Sequence, residues 1–263
     1  MVRHRGTYKP DYESPYELSR SRVEAFIRCP ACFWLDRAKG VKFPGMPAFL
    51  LNSNTDKLLK RDFDRYRGKE PHPIMIANGL GHLIPFDHPD MACWENSLSF
   101  GKDDHHFNTL HEETNILFGG GLDDVWQNIK TGELHIVDYK STSNQRAEPE
   151  PVSLDGKWKV AYKRQMDMYQ WVMRRKGFEV SDIGYFLYVD GLHVGYDGMI
   201  NIEDTTKAIM HFDTSILEYE GSDHWVEKAL IDIKQLLISK EQPAHDDECE
   251  YGKFINQIDD VRQ

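Results

Sequence analysis

The chain has 263 residues, 40% of them hydrophobic and 29% charged, and a formal net charge of -11. That length supports one substantial core with a helical annex, and no run approaches the roughly 18 apolar residues of a membrane helix. An acidic total argues against a nucleic-acid footprint spread over the whole surface, while leaving room for local basic patches.

The basic start MVRHRGTYKPDYESPYE is followed by no apolar stretch, so the expected location is the cytoplasm. Residues 1–17 read as irregular on their proline, tyrosine and charge. Ser21 and Glu24 have the spacing of a capping box and predict a helix with Val23, Phe26 and Ile27 inward. Pro30 interrupts or restarts that helix, which Phe33, Trp34 and Leu35 carry on to Gly40. A further helix is predicted over 55–66, and loops with a short helix over 70–104. Strand-like runs begin at Phe107. Strands over 122–128 and 134–141, with a turn at Lys130–Gly132, predict a hairpin.

After a polar loop over 143–156, Tyr162, Met166, Tyr169 and Met173 recur at helical spacing, and Gly177 offers a C-terminal cap. A strand from Ile183, two more over 193–200 and 207–213, and a helix over 222–238 complete the order. The whole reads as one α/β domain over 1–263, with an N-terminal helical segment at 18–69 and an acidic C-terminal tail at 241–263.

The stretch HIVDYKST carries the chemistry. On a strand, Asp138 and Lys140 share one face and Tyr139 takes the other. Asp123, on the preceding strand, falls opposite or diagonal to Asp138. Two carboxylates and a backbone carbonyl, that of Tyr139, offer hard oxygen ligands to Mg²⁺ or Mn²⁺, which would polarise a phosphodiester. The lysine would orient a water or neutralise charge developing on phosphate. The plainer alternative is that Asp123, Asp124 and Asp138 end strands or pair with Lys140.

GGLDDVW followed by IVDYKST resembles the core of the PD-(D/E)XK nuclease superfamily, in particular its RecB-type and Cas4-like exonuclease branch. Two further stretches agree with that branch. LSRSRVEAFIRCPACFWL is similar to its N-terminal signature, and Gln165 and Tyr169 in KRQMDMYQW are similar to its Gln-x-x-x-Tyr motif. The resemblance implies a restriction-endonuclease-like α/β core, a central mixed sheet flanked by helices. It also implies a metal-dependent DNA nuclease, an exonuclease, with Asp123, Asp138 and Lys140 catalytic. Gln165 and Tyr169 would support the active site or contact DNA. Relatives carry a histidine ligand on an N-terminal helix; the stretch LNSNTDKLLKRDFDRY has none, and Asp56 is the oxygen donor that could replace it.

Cas4-like relatives hold an iron–sulfur cluster through one N-terminal and three C-terminal cysteines. Here Cys29 and Cys249 match, but Gly252 stands where a further cysteine is expected, so the cluster is expected to be absent. A zinc ion on Cys29, Cys32, His245 and Cys249 is one alternative, and ordinary helix packing another. Basic residues over 57–69 and 157–176 are candidates for phosphate contact, and Trp158, Tyr162 or Trp171 for base stacking. The expected partner is DNA, with no membrane, and the acidic tail could dock a protein. The competing function is a non-catalytic DNA-binding or assembly subunit that keeps the nuclease scaffold.

Overall fold

Residues 3–43, 45, 49–143 and 151–262 are described by the computed structural model of the chain. The first elements are β1 (Tyr16–Ser19), α1 (Arg20–Arg28), α2 (Pro30–Arg37), α3 (Leu50–Asp64), α4 (Pro73–Ala77), β2 (Leu83–Pro85) and α5 (Met91–Trp94). Four strands follow: β3 (Asn108–His111), β4 (Ile116–Gly119), β5 (Asp124–Asn128) and β6 (Leu134–Thr142). A 3-10 turn leads into α6 (Val160–Arg175), and β7 (Ile183–Gly191), β8 (Phe212–Glu220), α7 (Val226–Ile238) and α8 (Glu250–Arg262) complete the order.

Five strands form the central sheet in the order β2-β5-β6-β7-β8. The β6–β7 pair is parallel and its neighbours are antiparallel, so the sheet is mixed. The parallel pair needs a crossover, and α6 supplies it. A smaller sheet, β1-β4-β3, lies beside it.

Strand alternation divides the core. Val125, Ile136, Phe186 and Tyr188 point to one side, where Met166, Tyr169 and Val172 of α6 cover them. Trp126, Val137, Tyr139 and Leu187 point to the other, against Phe63 of α3. The face that carries Ile136 also carries Asp138 and Lys140, so α6 lies over the candidate chemistry.

Several expectations change. Ser19, not Ser21, precedes α1 and makes no side-chain cap, its hydroxyl meeting that of Ser21 at 3.0 Å, and Glu24 is taken by Arg164, whose guanidinium donates to both carboxylate oxygens at 2.8 and 2.6 Å. The start of the chain contributes β1, held by β4. The strands expected over 193–200 and 207–213 reduce to an Ile200–Ala208 bridge. The pairing falls further on, where β8 runs beside all of β7. The polar loop over 143–156 lies partly outside the described residues. Among the described residues no helix is long and apolar enough to cross a membrane.

Candidate active site and a thiol–imidazole cluster

Asp124 pairs with Val137 and Val125 with Ile136, so continuing the ladder by one residue sets Asp123 across from Asp138. Asp123 leaves the strand at that point, and its Oδ2 accepts the backbone N–H of Tyr139 at 2.8 Å. Lys140 ion-pairs with Asp138. From α6, Gln165 closes the group: its Nε2 donates to Asp138 Oδ1 at 2.6 Å, and its Oε1 accepts from Lys140 Nζ at 3.5 Å. The Tyr162 ring lies 4.6 Å from that Nζ, so the ammonium is held between an aromatic face and two oxygens.

The other wall is α3. A hydroxyl bond between Thr55 and Ser141 ties it to β6, which brings Asp56 and Lys60 to the centre. Lys60 Nζ lies 3.2 Å from Asp56 and 3.7 Å from Asp123. Burial pushes the Asp138 carboxyl up to about 6 against the pull of Lys140, with Asp123 adding repulsion. Burial opposes the Lys140 charge, but Asp138 and Asp123 outweigh it and hold the lysine above its ordinary range. Asp56 is raised by burial and then by Asp123. Glu95, facing Lys60, is pushed up to about 7 by burial.

Three of these residues were not anticipated. Lys60 had a visible signal, its i,i+4 spacing from Asp56. Glu95 lies among prolines, glycines and histidines with no readable period. Arg20, which lies against the Tyr169 hydroxyl on the far side of the centre, stands inside the stretch similar to the N-terminal signature, with no spacing that singles it out.

Of the adjacent aspartates, Asp124 is an anchor. It is fully buried and accepts from Arg67 Nη1 (2.9 Å), its neighbour's Val125 N–H (2.8 Å), Trp126 Nε1 (3.2 Å) and the Tyr139 hydroxyl (2.8 Å). All its acceptor capacity is thereby used, leaving Asp123 as the carboxylate that faces the centre.

The cofactor expectations are corrected. Among the described residues, one group of three or more His, Cys, Asp and Glu side chains brings its ligand atoms within 4.8 Å of one another, and it is Cys29, Cys32, His245 and Cys249. Asp56, Asp123, Asp138 and the carbonyl of Tyr139 do not form the expected Mg²⁺ or Mn²⁺ cage, because Lys60 and Lys140 stand among the carboxylates. The expected absence of an iron–sulfur-type site is overturned as well. Three sulfurs and an imidazole are capable of coordinating a metal ion and have the soft character of iron–sulfur-type ligands.

The local sequence builds this cluster. Cys29 is the hinge between α1 and α2, extended at φ -163°, and Pro30 starts the second helix. One turn later Cys32 meets Cys249 at 3.3 Å, and His245 Nδ1 lies 3.5 and 3.6 Å from the sulfurs of Cys29 and Cys32. Gly252, read as a missing cysteine, packs on the imidazole side chain. A Cβ there would sit 2.6 Å from the Cβ of His245, so the close approach requires glycine. Burial opposes ionisation of Cys29, but hydrogen bonds from the Asp246 and Cys32 backbones, then His245 and Cys249, bring its thiol down to about 7.

Seven of the thirteen cations in the two basic clusters are ion-paired: Lys60 with Asp56 and Asp123, Arg65 with Asp62, Arg67 with Asp64 and Asp124, Lys157 with Glu248, Arg164 with Glu24, Arg174 with Asp182 and Asp223, and Arg175 with Glu112. Trp171 is core, whereas Trp158 is 82% exposed.

A mixed sheet with helices against both faces, and an Asp-x-Lys strand beside a second aspartate, define the class as a restriction-endonuclease-like α/β nuclease core. The sequence pattern of the PD-(D/E)XK nuclease superfamily matches residues 87–254, more than half of the chain, and the chain belongs to that superfamily. No curated protein matches it.

Proposed function

We propose that the chain is a DNA nuclease of the RecB-type, Cas4-like branch that hydrolyses phosphodiester bonds from DNA ends, with Asp123, Asp138 and Lys140 as its catalytic residues. The observation that carries this reading is the Asp123–Asp138–Lys140 group under Gln165, a buried ammonium fixed beside two carboxylates in a superfamily of nucleases. A fixed buried cation stabilises charge that develops on phosphate oxygens more strongly than a solvated one. Asp138, with its raised affinity for a proton, suits the transfer of a proton from water. Gln165 bonds to both groups, and Tyr169 supports the wall behind them.

We assign Cys29, Cys32, His245 and Cys249 to a second role, as ligands of a structural metal ion. A protein partner is placed at the exposed part of α8, where Phe254 and Val261 flank the acidic Asp259 and Asp260.

A second reading, a DNA-binding scaffold without hydrolysis, is favoured by Lys60, whose ammonium already neutralises Asp56 and Asp123. The deciding experiment compares wild type and Lys140→Ala on end-labelled single- and double-stranded DNA, linear and circular, across divalent cations and in chelator. The nuclease reading expects degradation of linear DNA, sparing of circles, and a loss of about 10²-fold or more in the variant. Equal cleavage by both proteins, or DNA binding with none, sinks the catalytic assignment.

A further inference from the structure

About half of the two basic clusters is ion-paired, and a further cationic excess is built into another part of the fold. A cavity of about 570 Å³ adjoins the centre and is lined by Arg5, Arg20, Arg22 and Arg37, with Glu17 the one acid in its wall. Glu17 is held by Arg3, which donates to both its oxygens at 2.7 and 2.6 Å. Asp36, just behind the wall, is shared by Arg22, Arg37 and Lys42 at 3.1, 2.8 and 3.0 Å. At ion-pair distance two carboxylates answer six cations, with Asp138 and Glu24 acting on Arg20 from farther off. Arg5 is exposed at the mouth and Arg20 is partly buried within, and neither has an ion pair among the described residues.

In a protein with a net charge of -11, such a local excess is a site for an anion. The backbone adds to it. Ser19, Arg20 and Ser21 line the same space, and α1 begins there with no side-chain cap and no acid in its first turn, so its free N–H groups favour negative charge. The cavity shares a wall with the candidate centre: Tyr169 and the backbone of Gly120–Gly121 line it, two residues before Asp123.

We propose that this arginine cavity is a phosphate site for DNA, holding a backbone phosphate beside the one that reacts at Asp138 and Lys140. It rests on the reading of the chain as a DNA nuclease and adds to it the surface that grips the strand. The forked guanidiniums suit phosphate oxygens in pairs, and the shared Tyr169 wall sets the gripped phosphate next to the reacting one.

The test is equilibrium binding of labelled single-stranded DNA across a salt series, in Lys140→Ala so that cleavage does not intrude. Arg5→Gln/Arg22→Gln is added, both positions being exposed, with Lys228→Gln, exposed on α7 and outside the cavity lining, as the charge control. The double variant is expected to bind about tenfold more weakly, the size of one charge-assisted hydrogen bond. It should also flatten log Kd against log salt by about 1.4, two contacts at about 0.7 each on a single strand.

A loss shared by linear and circular strands assigns the cavity to internal phosphodiesters, and a loss confined to phosphorylated ends assigns it to a terminal phosphate. Unchanged affinity and slope in the double variant overturn the cavity proposal and leave the nuclease reading standing. Binding that depends on the arginines, in a protein whose wild type cuts nothing, keeps the cavity and sinks catalysis. No DNA binding by the parent overturns both.

Discussion

Asp138 combines complete burial with two neighbouring charges of opposite sign, and its titration follows from that setting. Its carboxyl, pushed up to about 6 by burial with Lys140 pulling the other way, holds its proton more tightly in the folded protein than in the unfolded chain. The sign of the linkage follows. Its contribution to stability is complete below the unfolded value of about 3.9 and is lost as pH rises through about 6. Glu95, pushed up to about 7 by burial, acts in the same direction over a slightly higher range. Urea unfolding at intervals between pH 4 and 7 should therefore show wild type losing stability relative to Asp138→Asn, which carries no charge to bury. Parallel curves would mean that Asp138 ionises in the fold as easily as in the open chain. The same group should set the acid limb of kcat/KM for DNA cleavage near pH 6, since its basic form accepts the proton.

At the scale of elements, the register between β5 and β6 decides whether two aspartates meet, and a buried ion pair holds that register. Arg67, just beyond α3, donates to Asp124 Oδ1 at 2.9 Å and to the Phe86 carbonyl at 2.9 Å. It so joins the helix carrying Asp56 and Lys60 to the start of β5. Removing one partner of a buried pair strands the other charge, so Arg67→Met should lower unfolding stability by about 3–5 kcal/mol in chemical denaturation. Replacing both partners, as Arg67→Met/Asp124→Leu, should recover part of that loss. A single variant with wild-type stability would show that Asp124 is satisfied by its other three donors.

This pair also shows where sequence reading stops. The strand of Asp138 and the helix of Gln165 were legible, because alternation and the i,i+4 spacing are properties of local chain geometry. What holds Asp124 away from the centre was not, because that depends on Arg67, 57 positions away. The same limit explains β1 and β8. Both are paired strands whose own composition is mixed, and β8 is only half covered along its length, so their partners define them more than their pattern does.

Over the whole molecule, the thiol–imidazole cluster joins ends of the described chain that share no strand pairing. Cys29 and Cys32 lie 216 and 213 positions from His245, so a metal ion held there would close nearly the full length of the chain. Such a closure acts on the unfolded state, which loses most when distant segments are tied, and on the folded state, where α8 gains an anchor to α1 and α2. The acidic tail expected as a candidate docking segment is tied to the rest of the fold at Cys249 and by the Glu248–Lys157 pair at 2.5 Å.

If the site holds a metal, the purified protein should carry it in elemental analysis, with an absorption spectrum that separates an iron–sulfur-type centre from a colourless ion. Chelation should then lower Tm, by about 4–8 °C for a loss near 2 kcal/mol in a chain of this size. Cys249→Ser should melt at the chelated temperature and respond to no further chelator, since only one site is removed twice. Gly252→Ala should reproduce part of that loss with all four ligands present, because its methyl group would press on the His245 side chain. A metal-free protein whose Tm is indifferent to both chelator and Cys249→Ser would reduce the cluster to packed thiols, and α8 would then owe its place to Tyr251 against Phe43 and to the pairing of Lys157 with Glu248.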